Sequence, residues 1–117
     1  MKATCLVLMK DLETKNLDKL SNWFNHDNIV WIPPCKPVKG INRILALFRG
    51  IFHRYEALHW KVVEILGLEN NRCLYISESW GRIGSQEYQN KIVTDIIFDD
   101  DGKIISLSDY FKDTSRF

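Results

Sequence analysis

The chain has 117 residues, 45% hydrophobic and 26% charged, which suits one globular domain spanning 1–117 with a single core and is too short for two. Lys and Arg total 16 against 15 Asp and Glu, so no basic excess marks a nucleic-acid partner. The apolar run Ala3 to Met9 is far below the roughly 20 residues that span a bilayer, and it returns to charge at Lys10 and Asp11 with no small-residue cleavage site.

Three cysteines, Cys5, Cys35 and Cys73, are odd in number and widely spaced. They form neither a CxxC metal pair nor a disulfide framework, and a reduced, cytoplasmic chain is expected. Leu6, Met9 and Leu12 among charged neighbours predict a helix over 3–13. Asn16 is a good N-cap for a short second helix carrying Leu17, Leu20, Trp23 and Phe24. Ile29 to Ile32 is a short β-type run stopped by Pro33 and Pro34, and 35–39 is an irregular loop. Gly40 opens a third helix whose Ile41, Ile44, Leu45, Phe48, Ile51, Phe52 and Tyr55 form one apolar stripe. Gly50 within it costs about 1 kcal/mol relative to Ala, which close packing would justify.

From Leu58 onward the pattern is β. Strands over 58–66, 72–80, 88–98 and 103–111 are joined by turns at 68–71 and 99–102 and a loop at 81–85, an antiparallel meander. Helices first and long strands afterwards give an α+β layout with the helices on one sheet face.

The last strand carries one acid in phase with hydrophobic residues: Leu107, Asp109 and Phe111 share one side, Ser106, Ser108 and Tyr110 the other. A carboxylate between Leu and Phe is costly unless it meets a partner, water or a ligand. On the strand from Arg72, the set Leu74, Ile76, Glu78 and Trp80 is more apolar than Cys73, Tyr75, Ser77 and Ser79, so the first set is expected inward. Glu78 would then share a cavity with Asp109, and burial with mutual repulsion would raise at least one pKa. The alternatives are a Glu78 paired with Arg72, Arg82 or Lys91, and an Asp109 bonded to backbone amides or a tryptophan N–H.

The segments NLDKLSNWFNHD at 16–27, the short strand ending in Pro, GINRIxxLF at 40–48, LENNRC at 68–73 and DGKIISLSD at 101–109 resemble, in order and spacing, the nuclear transport factor two-like superfamily, most closely its SnoaL-like branch. The resemblance implies a strongly curved, mostly antiparallel sheet around a cone-shaped cavity closed by helices, with homodimers formed through the outer sheet face. It also implies an acid–base aspartate six residues after the Lys of a GKI turn. That position is Asp109, counted from Lys103. The ketosteroid isomerase set is missing, since Ile32, Leu8 and Thr94 stand where its acids and tyrosine fall.

Within such a cavity Trp23, Trp31, Phe48, Phe52, Tyr55, Trp60 and Trp80 are expected as walls, or as core. Phe111, Asn90 and Thr94 share the inner phase of their strands and are expected to orient a ligand. His26, His53 and His59 lack HxH or HxxxH spacing, so no metal is expected, and Asp99-Asp100-Asp101-Gly102 is a hairpin turn rather than a calcium loop. Cys35 has no histidine close in sequence to activate it. The resulting expectation is a cofactor-free pocket for a small hydrophobic or polycyclic molecule. Asp109 and Glu78 would move a proton on it, in isomerase, cyclase or dehydratase fashion. The alternative is a ligand-binding or dimeric interaction module without catalysis, its outer sheet face bearing Tyr75, Val93 and Ile97.

Overall fold

In the computed structural model, which describes residues 2–115 and 117, three helices roof one face of a curved six-stranded sheet. Helix α1 (Lys2–Thr14) buries Cys5, Leu8, Met9 and Leu12, a stripe at steps of three, one and three that faces the sheet. Helix α2 (Leu17–Ser21) starts where Asn16 Oδ1 accepts the amides of Asp18 and Lys19, as its capping chemistry requires. Helix α3 (Ile41–Arg54) buries Ile44 and Phe48, and Phe24, Phe48 and Phe52 stack along it at 6.2 and 5.9 Å. Gly50 is exposed and a side chain there would meet nothing within 4 Å, so it serves no close packing.

The strands are β1 (Ile29–Trp31), β2 (Val38–Lys39), β3 (Ala57–Gly67), β4 (Arg72–Ile83), β5 (Gln86–Phe98) and β6 (Ile104–Phe111). They lie in the order β2-β1-β6-β5-β4-β3. The meander β3 to β6 is antiparallel, while β1 runs parallel to β6. Within the expected loop at 35–39, Val38 and Lys39 pair with β1. The expected loop at 81–85 shrinks to Gly84-Ser85, because Gly81 to Ile83 remain paired with Gln86 to Tyr88.

Register breaks between Val62 and Glu64 in β3 and between Ile97 and Phe98 in β5 are places where an extra residue bends and twists a strand. Asp99 Oδ1 accepts the amides of Asp101 and Lys103, both at 2.9 Å, with Gly102 at φ 82°. The acidic run is thus a self-bonded turn, as its composition predicts.

Strand β4 reverses one expectation. Cys73, Tyr75, Ser77 and Ser79 are buried against the helices, whereas Glu78 and Trp80 are exposed and Leu74 and Ile76 half-buried on the convex face. A simple count of hydrophobicity selected the wrong face because both faces of β4 carry apolar groups. The concave wall needs small hydroxyl residues to leave a hollow, and the helices supply its apolar half.

Candidate ligand pocket

Cross-strand register builds the pocket wall in rows. On adjacent strands Tyr75 stands opposite Thr94, and Thr94 opposite Asp109. The next row places Val62, Ser77, Ile92 and Phe111 side by side, and the one after it Trp60, Ser79 and Asn90. Met9 and Leu12 of α1 and Phe48, Ile51 and Phe52 of α3 face these rows across a cavity of about 150 Å³. Pro33, Cys35, Arg54 and Phe117 are also at its boundary. An apolar hollow of this volume accepts a ligand about the size of benzene, and any larger molecule would extend through the open end.

Asp109 is the single acidic side chain among the described lining residues. Burial raises its pKa from the usual carboxylate value to about 6, partly opposed by a hydrogen bond from Thr94. Thr94 Oγ1 donates to Asp109 Oδ1 at 2.6 Å. Tyr75 stands beside this pair in the same row, opposite Thr94. Burial, with Asp109 as a second cause, holds Tyr75 well above its ordinary pKa, so it stays a neutral donor.

Near the other rows, the Tyr88 ring meets Tyr55 edge-on at 5.2 Å. Asn90 Nδ2 donates to the Asp113 carbonyl and its Oδ1 accepts the Asp113 amide. This pair of bonds holds the segment after β6, and Phe117 packs edge-on against Phe111 at 5.1 Å. Trp60 Nε1, in contrast, is buried with no partner among the described residues. Leaving a buried donor unmet costs about 1–3 kcal/mol.

Of the residues expected at the site, Asp109, Thr94, Phe48, Phe52, Tyr55, Trp60 and Phe111 come together around the cavity. Others do not. Glu78 lies on the convex face opposite Lys91, so the two-carboxylate arrangement is absent. Trp80 is 45% exposed and stacks near His59 at 5.8 Å. Trp31, 47% exposed on β1, also misses the cavity. Trp23 packs beside Phe98 and donates to Asp11 at 2.9 Å, a structural role outside the lining. Asn90 has the inner phase but borders the tail rather than the hollow. Tyr75, expected outside, is buried on the inner face beside Thr94, while Val93 stands outward as expected.

The family model of the SnoaL-like domain matches residues 8–107, and the chain belongs to that family. None of the curated proteins matches it. Among solved structures, it is similar to an LEH-like epoxide hydrolase from M. tuberculosis, with a TM-score of 0.77, 20% identity, and coverage of 94% of this chain and 80% of that one. It is also similar to Bal32a from a soil-derived mobile gene cassette, with a TM-score of 0.82, 15% identity, and coverage of 96% and 91%. A steroid delta-isomerase from Pseudomonas aeruginosa gives a TM-score of 0.73, 20% identity, and coverage of 97% and 80%. Identities this low establish the shared α+β cone fold and leave the chemistry to the pocket itself.

Proposed function

We propose that the chain binds a small, mostly apolar molecule in the cone and that Asp109 exchanges a proton with it, without a cofactor. The observation that carries this reading is one carboxyl of pKa about 6, bonded to Thr94 and set in an otherwise apolar and hydroxyl-lined cavity. Near neutral pH such a group is mostly ionised and can take a proton, yet its conjugate acid is close enough in energy to return it. That suits isomerisation, cyclisation or dehydration of a compound activated by an oxygen function. The similar structures include an LEH-like epoxide hydrolase and a steroid delta-isomerase, which supports the small-molecule reading. The volume favours one or two rings over a large polycycle.

The test uses 2-tetralone, a two-ring ketone, in D₂O. Asp109 would accept a proton from the carbon beside the carbonyl as that C–H bond breaks, and the enolate would regain a deuteron. Wild-type protein is expected to speed this exchange above the buffer rate, and Asp109→Asn to bind the ketone without speeding it. Exchange that survives in the variant would remove Asp109 from the chemistry. Binding without any exchange would favour the second reading, a non-catalytic ligand-binding module.

A second copy of the chain is the proposed partner, through the convex face. Trp31, Trp80, Val93 and Tyr110 are exposed there, more apolar surface than open solvent favours. Sedimentation of wild type against Val93→Glu checks this: a dimer that the substitution does not weaken would place the interface elsewhere. The free cysteines are the basis for placing the chain in a reducing, cytoplasmic compartment.

A further inference from the structure

We infer that the Ser77 hydroxyl is the pocket's polar contact for the ligand, placed to hydrogen-bond an uncharged oxygen function, a carbonyl or a hydroxyl. The inference rests on the proposed pocket reading and adds the ligand's second recognition point. Ser77 sits in the middle of β4, lines the cavity and is 4% exposed. Its hydroxyl makes no hydrogen bond to the described residues. Among those residues, Trp60 Nε1 is the one buried polar side-chain atom that is both unpartnered and closed off. The equally unpartnered Ser77 oxygen therefore keeps some surface of its own. On the concave side, under the helices, that surface looks into the hollow.

Hydroxyls elsewhere show what a structural role looks like. Thr14 Oγ1 donates to the Asp11 carbonyl and Ser21 Oγ to the Asp18 carbonyl, each at 2.6 Å, and Thr94 donates to Asp109. Ser77 has no such outlet. It stands opposite Val62 on β3 and Ile92 on β5, so the nearby backbone carbonyls belong to the two ladders and its cross-strand neighbours are hydrocarbon. A wall that needed only a small side chain there would take alanine, with no polar atom to desolvate. The hydroxyl is favoured when something in the hollow bonds to it.

Asp109 decides the charge of that group. Ser77 is one row along the sheet from Tyr75, Thr94 and Asp109, and above pH 6 the acid is largely ionised. An anion in the same apolar hollow would be strongly repelled at low dielectric, so the oxygen function is uncharged. Ser77 and Asp109 are two strands apart, roughly 10 Å in a flat sheet and less across a concave one, a gap that one substituted ring fills. The ligand therefore presents its oxygen to β4 and its labile proton to β6. A fully hydrocarbon ligand would leave the hydroxyl unpaired, and the site would discriminate against it.

The experiment measures the affinities of acetophenone and α-methylstyrene by calorimetric titration at pH 8. There Asp109, with its pKa of about 6, is ionised and offers a ketone no proton. The two probes share shape and ring and differ in a C=O against a C=CH₂. Ser77→Ala is expected to weaken acetophenone about five- to tenfold relative to α-methylstyrene. Its urea midpoint should not fall, since the hydroxyl has no protein partner to lose. If both probes bind and the ratio of their affinities is the same in Ser77→Ala, or if the urea midpoint falls, the contact is refuted while the pocket reading stands. If neither probe binds wild type, both are overturned. Absence of deuterium exchange in wild type, with the affinity ratio shifted as expected, overturns only the catalytic reading.

Discussion

Thr94 and Asp109 face each other across β5 and β6, and the 2.6 Å bond between Oγ1 and Oδ1 favours the ionised carboxylate over the neutral acid. Thr94→Val keeps the shape and removes the donor. The Asp109 pKa is then expected to rise from about 6 by roughly one pH unit, since one hydrogen bond to a charged group has about that worth. Carbon NMR titration of the Asp109 carboxyl reads the effect. A titration midpoint unmoved in Thr94→Val would show that burial alone sets this acid.

Asp109 also links stability to pH. Its folded-state pKa, about 6, is above the ordinary value of 3.8, so the folded chain holds this proton more tightly than the unfolded one. The stability associated with the neutral carboxyl is fully present below about pH 4 and is lost as pH rises towards and through 6. Asp109→Asn is neutral throughout. It is expected to match wild type near pH 4 and to exceed it above pH 7 by on the order of 1–3 kcal/mol. Urea denaturation at the two pH values checks this. Equal destabilisation at both would make Asp109 a structural hydrogen-bonding residue.

Gly81 is fixed by a backbone approach rather than by a turn. It pairs with Leu58 across β3 and β4, and a Cβ there would lie 1.8 Å from the Ala57 carbonyl oxygen. Backbone cannot swing aside as a flexible side chain can, so Gly81→Ala must push the two strands apart. The expected cost is about 2 kcal/mol or more, a fall in Tm of roughly 6–10 °C for a domain of this length. Calorimetry decides it, and an unchanged Tm would mean that β3 yields there easily.

The strand order of the meander, the Asn16 cap and the inner phase of Asp109 were legible because each depends on local rules: periodicity, capping and alternation. The face of β4 was not legible from hydrophobicity, yet a signal was present. Gly84-Ser85 is a two-residue hairpin turn with Gly at φ 59°. Counting back from it pairs Tyr75 with Thr94 and Glu78 with Lys91. With Thr94 inward, Tyr75 follows it inward and Glu78 goes out. The exposed Trp31 and Trp80 were misplaced for a related reason: an aromatic side chain carries no mark that separates a cavity wall from a convex face.

By itself the sequence determined the succession of helices and strands, their turns, and a lone acid in phase with Leu107 and Phe111, because these follow from neighbours along the chain. Only the tertiary structure decided which side of β4 looks into the hollow, that the Trp60 indole N–H has no acceptor among the described residues, and that Asp109 holds its proton to about pH 6. Those properties depend on what surrounds a group in space, and alternation along a strand defines two faces without saying which one the helices will cover.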